Sequence, residues 1–285
     1  MPYDCINGIP IMFIHIPKNG GSSIKRYFQM QESCHRSAQD FLYNMNKGIV
    51  PIALNEEYCS DENFEKYILW KERLENVFEE AEKKQEHLFP KAFKFSFVRN
   101  PWDRLASIYH YHKNDFGGLG AFEFFIGNLR NLQGPIFSSE SQTILKLTQT
   151  QYISVGGKIK RMYDNSLDLL NIRYASGDDM INAMNYIGRF ETMQKDVKNI
   201  CQILDNGYNA GDRHWMNNRG DFTYHERKSD NSKQSYVKMY KEFDSIYAVF
   251  DYYCDDIKNF GYTFSGYPNC EITKECFGRR EGNAS

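Results

Sequence analysis

Apolar residues run unbroken through residues 11–16, IMFIHI, and several are β-branched. Such a run predicts a strand buried on both faces. Pro17 ends it and PKNGGSS follows; Ile24, Tyr27 and Phe28 then fall at helical spacing, with Ser22 or Ser23 as the helix cap. A second unit of the same kind starts at residues 93–98, FKFSFV, where Phe93, Phe95 and Phe97 alternate with Lys94, Ser96 and Val98. In the RNPWDRLASIYHYH that follows, Asn100 suits a helix cap, Pro101 a first turn, and Leu105, Ile108, Tyr109 and His112 share one face.

Elsewhere the pattern predicts an amphipathic helix over residues 61–88, with FEEAEKKQEH as its solvated side. Residues 114–135 carry Gly117, Gly118, Gly120, Gly127 and Gly134 and read as a mobile surface loop or lid; no strand precedes DFGGLG, so it is not read as a phosphate loop. Residues 141–155 read as helical and then extended, and the polar stretch 161–180 takes no assignment. A short strand is predicted over 186–190, YIGRF, and then a helix over 191–204 with Met193, Val197, Ile200 and Leu204 inward. Residues 205–232 form an irregular connection, and 233–258 one long helix with Tyr236, Tyr240, Phe243, Tyr247, Phe250, Cys254 and Ile257 inward. Strands alternating with helices predict an α/β fold with a mainly parallel sheet. Neither an internal repeat nor a domain linker interrupts it, so residues 1–265 read as a single domain and 266–285 as a poorly ordered tail.

The 285 residues, 41% hydrophobic and 25% charged, suffice for a real core and exclude a disordered or low-complexity chain. The net charge of −2 offers no bulk field for nucleic acid or an anionic membrane, so a bound anion needs a local cluster. Seven cysteines without a C-x-x-C pair argue against a disulfide framework or zinc knuckle and for a reducing compartment. The apolar run 9–17 is too short to span a bilayer, and MPYDCING lacks the basic lead of a signal peptide; a soluble, cytoplasmic protein is expected.

Two clusters carry candidate chemistry. In His15-Ile16-Pro17-Lys18-Asn19-Gly20-Gly21-Ser22-Ser23 the glycines allow a tight turn, the serines add hydroxyl donors, and Lys18 puts a cation at the mouth. That composition suits a phosphate or sulfate group; an ordinary strand-to-helix turn is the alternative. It is not a nucleotide-kinase P-loop, in which Lys follows the glycines. In Arg99-Asn100-Pro101-Trp102-Asp103-Arg104-Leu105-Ala106-Ser107, Arg99 stands at the end of a strand, where open α/β sheets bind ligands, and Ser107 is two turns along the helix. The alternative there is a surface ion-pair set of Arg99 and Arg104 with Asp103. No metal-ligand spacing occurs.

These motifs resemble those of the sulfotransferases that use 3′-phosphoadenosine-5′-phosphosulfate (PAPS), in particular the carbohydrate sulfotransferase-like group with soluble bacterial members. FIHIPKNGGSSI is similar to the 5′-phosphosulfate loop and FVRNPWDRLASIY to the 3′-phosphate motif. YIGRFETMQKDVKNI and DYYCDDIKNFGYTF are similar to the middle and C-terminal motifs, all in order over residues 13–264. The resemblance implies a P-loop-like three-layer α/β fold, no metal, and in-line sulfuryl transfer to a hydroxyl of a carbohydrate or glycolipid acceptor. It implies that Lys18 meets the leaving oxygen, that Asn19, Gly20, Gly21, Ser22 and Ser23 cradle the phosphosulfate, and that Arg99 and Ser107 hold the 3′-phosphate. It also implies a contact from Lys233, and His35 as the general base with Glu32 as the alternative. Residues 161–180 stand as an insertion against the family pattern. His15 is expected in the core or behind the site, His110 and His112 in structural roles, and His214 and His225 near the acceptor. Trp102, Tyr109 and Trp215 are aromatics that suit either sugar stacking or core packing. A nucleotide-dependent kinase and an inactive nucleotide-binding relative are the competing readings.

Overall fold

Phe13, Phe95 and Phe97 lie in one cluster with residues of two helices, and this explains which chain segments form the central layer. The structure, a computed structural model, describes residues 3–6, 9–28, 30, 35–46, 88–112, 122–129, 147–161, 173–207 and 236–264. In chain order its elements are β1 (Tyr3–Ile6), β2 (Ile9–Ile14), α1 (Gly21–Tyr27), α2 (Ala38–Asn46), α3 (Leu88–Lys91) and β3 (Phe93–Val98). Then come α4 (Pro101–His112), α5 (Phe122–Gly127), α6 (Gln149–Ile153), β4 (Ser154–Arg161), β5 (Arg173–Asn182), β6 (Tyr186–Arg189) and α7 (Met193–Gly207). α8 (Phe243–Tyr252) and α9 (Cys254–Phe260) close the described chain. The helix read over residues 61–88, apart from its last residue, lies outside the described residues, as do nearly all of the connection read over 205–232 and the tail 266–285. Two compact units emerge, each built from two stretches: 1–97 with 151–225, and 98–150 with 226–285.

In the first unit one sheet runs β1-β2-β3-β6. β2 and β3 are parallel, Ile11 opposite Phe93 through Ile14 opposite Ser96, and β1 adds an antiparallel edge, Tyr3 opposite Met12. Ile11 to Ile14 are fully buried, as an unbroken apolar run requires. In FKFSFV the residues that alternate with the phenylalanines include Lys94 and Ser96, and both are buried too. Both are satisfied locally. Lys94 Nζ donates to the carbonyls of Phe89 at 3.0 Å and Ala92 at 2.7 Å, where α3 ends, and Ser96 Oγ donates to Ile14 O at 2.7 Å. Ile24 of α1 and Phe28 just past its end, with Val197, Ile200 and Leu204 of α7, pack on Phe13, Phe95 and Phe97. Each such side chain contributes about 1.5–3 kcal/mol by leaving water. The fold is the mixed α/β one that the pattern predicts, helices packed on a sheet whose central pair is parallel.

The stretch 161–180, unassigned from sequence, supplies much of β5. It pairs antiparallel with β4, Ser154 opposite Asn182 and Arg161 opposite Arg173. The register slips at Gly156 and Gly157, both at positive φ, and a Cβ on Gly157 would collide with the Ser176 carbonyl. Glycine spacing had hidden a bulged hairpin.

The second unit holds a core of Trp102, Leu105, Ile108, Phe125, Ile126, Val249, Phe250 and Tyr253. Two expectations are corrected here. Within the stretch read as a surface loop or lid, residues 122–127 are helix α5, with Phe122, Phe125, Ile126 and Leu129 buried. Their spacing of three and four outweighs the glycines around them. The single helix read over 233–258 is broken into a 3-10 turn at Tyr236–Met239, then α8, then α9 beyond Tyr253. Glu123 explains the first break: its carboxylate accepts the Lys241 N–H at 2.8 Å and the Ser245 hydroxyl, taking over a donor that a continuous helix would use.

Candidate active site

The glycine loop is built by packing as much as by turn chemistry. Gly20 caps α1 at φ 79°, in the left-handed region, so the helix begins at Gly21 and not at either serine. Ser22 and Ser23 therefore sit inside the first turn, Ser22 exposed and Ser23 buried, which corrects their reading as caps. A Cβ on Gly20 would overlap Met193, the first residue of α7, and one on Gly21 would overlap the His15 ring. Gly188 of YIGRF is likewise pressed on Phe97. The middle motif thus lies directly under the loop. Asn19, buried, donates from Nδ2 to Phe97 O at 2.7 Å and ties the loop to the end of β3. Lys18 itself holds φ 67°, a left-handed conformation rare for a side-chain-bearing residue.

His15 and His35 meet beside this loop. Their ring centroids are 4.4 Å apart, and His35 Nδ1 is 3.3 Å from the His15 carbonyl. A carbonyl only accepts, so Nδ1 of a neutral His35 carries the proton and Nε2 the lone pair. Burial, followed by the nearby His35 and Lys25, pushes His15 well below the usual imidazole range, and it stays neutral. His15 also stacks on Phe13 at 5.6 Å, in keeping with its expected place behind the site.

The arginine motif forms its own cradle in the second unit. Asn100 caps α4: its Oδ1 accepts the Trp102 N–H at 3.1 Å, its carbonyl the Arg104 N–H at 2.8 Å, and its Nδ2 donates to Thr263 O at 2.7 Å. Arg99 Nε pairs with Asp103 Oδ2 at 2.7 Å, so the ion-pair alternative is present in the structure. Arg104 is not part of a surface set. It is buried, with its guanidinium 6.0 Å from the Tyr253 ring centre. Ser107 is half-buried on α4.

Two residues that sequence reasoning missed hold the Arg99 backbone. Gln149 Oε1 accepts the Arg99 N–H and its Nε2 donates to the Arg99 carbonyl, both at 2.8 Å. Asp256, fully buried, accepts the N–H groups of Gln149 and Thr150 at 2.8 and 2.7 Å and the Thr150 hydroxyl at 2.9 Å. Burial raises its carboxyl pKa, and these donors, with Arg104, act against that rise. A signal was available: Tyr253, Asp256 and Phe260 form a helical stripe in which one member is a carboxylate.

Among the other candidates, Trp102 is core, donating from Nε1 to Ile246 O at 3.0 Å, and Tyr109 packs on Phe122 and Phe125. His110 meets Tyr109 edge-on. Glu32, Lys233, His214, His225 and Trp215 lie outside the described residues, as does the side chain of His112. No helix among the described residues is long and apolar enough to cross a membrane. A model of the sulfotransferase family matches residues 7–263. Comparisons with curated proteins and with solved structures returned no match. The matched span takes in the lysine loop, the arginine motif, YIGRF and the Asp256 segment alike, and by that measure the chain belongs to the sulfotransferase family.

Proposed function

We propose that the protein transfers a sulfuryl group from PAPS to a hydroxyl of a small-molecule or glycan acceptor, a carbohydrate by preference. The observation that carries this reading is the His15–His35 pair, because the His15 carbonyl engages Nδ1 of the His35 ring and turns the opposite ring nitrogen, Nε2, away from it beside the lysine loop. The donor sets suit the two ends of the cofactor. Lys18, Ser22 and Ser23 offer a cation and hydroxyls to a phosphosulfate. Arg99 and Ser107 offer a fork and a hydroxyl to the 3′-phosphate. PAPS supplies the activated sulfuryl group and leaves as adenosine 3′,5′-bisphosphate.

His35 Nε2 takes the acceptor hydroxyl proton as the new O–S bond forms and the S–O bond to the phosphate breaks. Lys18 neutralises the charge that grows on the departing phosphate oxygen. Asn19 keeps the loop seated on β3, and Gln149 with Asp256 keeps Arg99 in place. Residues 1–265 act as one catalytic domain, since the family match runs through both compact units. The reading keeps a reducing, cytoplasmic setting, from seven cysteines without a C-x-x-C pair.

Calorimetry with adenosine 3′,5′-bisphosphate and with ATP–Mg²⁺ tests the reading. Tight binding of the bisphosphate alone, weakened by Arg99→Ala, is expected. Preference for ATP–Mg²⁺ would transfer the protein to the kinase reading. A screen with labelled PAPS over sugar, glycolipid, alcohol and tyrosine-peptide acceptors then fixes the acceptor, and His35→Ala is expected to lower turnover without weakening the bisphosphate.

A further inference from the structure

We propose that Asp40 and Arg173 are positioning residues for His35, acting through a contact set that joins the first turn of α2 to the first residue of β5. The inference rests on His35 being the base.

His35 stands two residues ahead of Ser37, and the helix that follows is fastened to the hairpin at successive positions. Ser37 and Asp40 have the Ser-x-x-Asp spacing of a helix start. Ser37 Oγ accepts the Asp40 N–H at 3.3 Å and donates to the Arg173 carbonyl. Arg173 Nη1 lies 3.7 Å from Asp40 Oδ1, and the Arg173 guanidinium covers the Tyr43 ring at 3.9 Å. One position away, Gln39 Oε1 accepts the Gly156 N–H at 3.0 Å, which fastens β4 to the same turn. Ser37 and Asp40 are wholly buried. The chain leading into α2 is thus held on one side by the hairpin, while the His35 ring is held on the other by His15.

Stability does not account for this arrangement. Burial pushes the Asp40 carboxyl up to about 7, against the pull of Arg36 and Arg173, so its ionised form is held at a cost. A buried ion pair of that kind is poor evidence for stability, whereas contacts made at successive positions of one turn fix geometry. The geometry fixed here is the entry to α2, and with it the reach of His35 Nδ1 to the His15 carbonyl. The first residue of β5 thereby becomes part of the machinery that aims the base.

The tautomer of His35 reads this directly and needs no acceptor. Protein carrying ¹⁵N-histidine is observed by NMR at pH 8, with His35 identified by its loss in His35→Gln. The wild type is expected to show the Nδ1–H form. Asp40→Asn and Arg173→Gln are expected to relax His35 toward the Nε2–H form of free imidazole. Arg173→Lys, which keeps a cation and the same main-chain carbonyl, should restore the wild-type signal in part. Unchanged His35 shifts in both folded variants would overturn the proposal. Should either variant fail to fold by circular dichroism, Ser37→Ala, which removes the link to the Arg173 carbonyl but no charge, takes its place: a shift toward the Nε2–H form supports the proposal, and an unchanged His35 signal overturns it. Bisphosphate affinity is expected to stay unchanged in the variants, and its loss would count against a role confined to the base. Once an acceptor is in hand, kcat should fall about 10²-fold, the scale of a misplaced reacting group. The transfer reading fails by other measurements: a wild type in the Nε2–H form, or a His35→Ala variant with normal turnover.

Discussion

Lys18 combines two properties that are seldom asked of one residue. Its ammonium is the group proposed above to meet the leaving oxygen, and its backbone occupies the left-handed region, which costs a side-chain-bearing residue about 1–2 kcal/mol. Charge and strain are separable by substitution. Lys18→Ala removes the charge and keeps the strained backbone; transfer should fall by about 10²–10³, the cost of losing one donor to a developing oxyanion, in a steady-state assay with PAPS. Lys18→Gly should be equally inactive, yet its melting temperature should match or exceed that of Lys18→Ala. Relief of the left-handed strain outweighs the roughly 0.4–1 kcal/mol that glycine's extra freedom costs in the unfolded chain. The neighbouring glycines allow no such freedom. Gly21→Ala would drive a methyl into the His15 ring and so disturb His35. The sequence showed the turn, but not that these glycines are shaped by Met193 and His15, because the first contact joins residues far apart in the chain and the second depends on how the His15 ring is turned.

At the scale of elements, the strand–turn–helix units were legible because their signals are local: an unbroken apolar run at β2, Asn100 and Pro101 opening α4, and the 3.6-residue stripe of α7. What periodicity missed were the places where one side chain from a distant element redirects the backbone. Glu123 is one such case, and it ends the helical pattern ahead of α8. Glu123→Ala is expected to destabilise the fold by about 1–3 kcal/mol, since the Lys241 and Ser245 donors lose their acceptor; denaturant unfolding measures it. Gln149 is another, invisible beforehand because its value lies in a two-pronged grip on the Arg99 backbone. Gln149→Ala should weaken adenosine 3′,5′-bisphosphate binding in calorimetry while leaving His35 unchanged by NMR. Equal binding would show that Arg99 needs no such support.

For the molecule as a whole, acid–base linkage at Asp40 sets a measurable trend. Its folded pKa of about 7 lies above the ordinary 3.8, so between those values the native state keeps a proton that the unfolded chain releases. Wild-type stability from this group is therefore greatest in acid, declines as pH rises through 7, and is flat beyond. Asp40→Asn lacks that decline. Its melting temperature relative to wild type should be most favourable at pH 8 and the difference should shrink toward pH 5. A difference independent of pH would contradict the burial argument. The α/β class and the family motifs were readable across the whole chain, whereas the hairpin of β4 and β5 was not, because glycine bulges erase the alternation that marks a strand. The division of each compact unit between two separated stretches bears on how the chain matures at the ribosome. The grip on Arg99 passes through Gln149 to Asp256, and the cap of α4 reaches Thr263, so the arginine motif waits unsupported until almost the last described residues emerge. A nascent chain arrested before residue 256 should be unable to retain the bisphosphate even though its lysine loop is already synthesised.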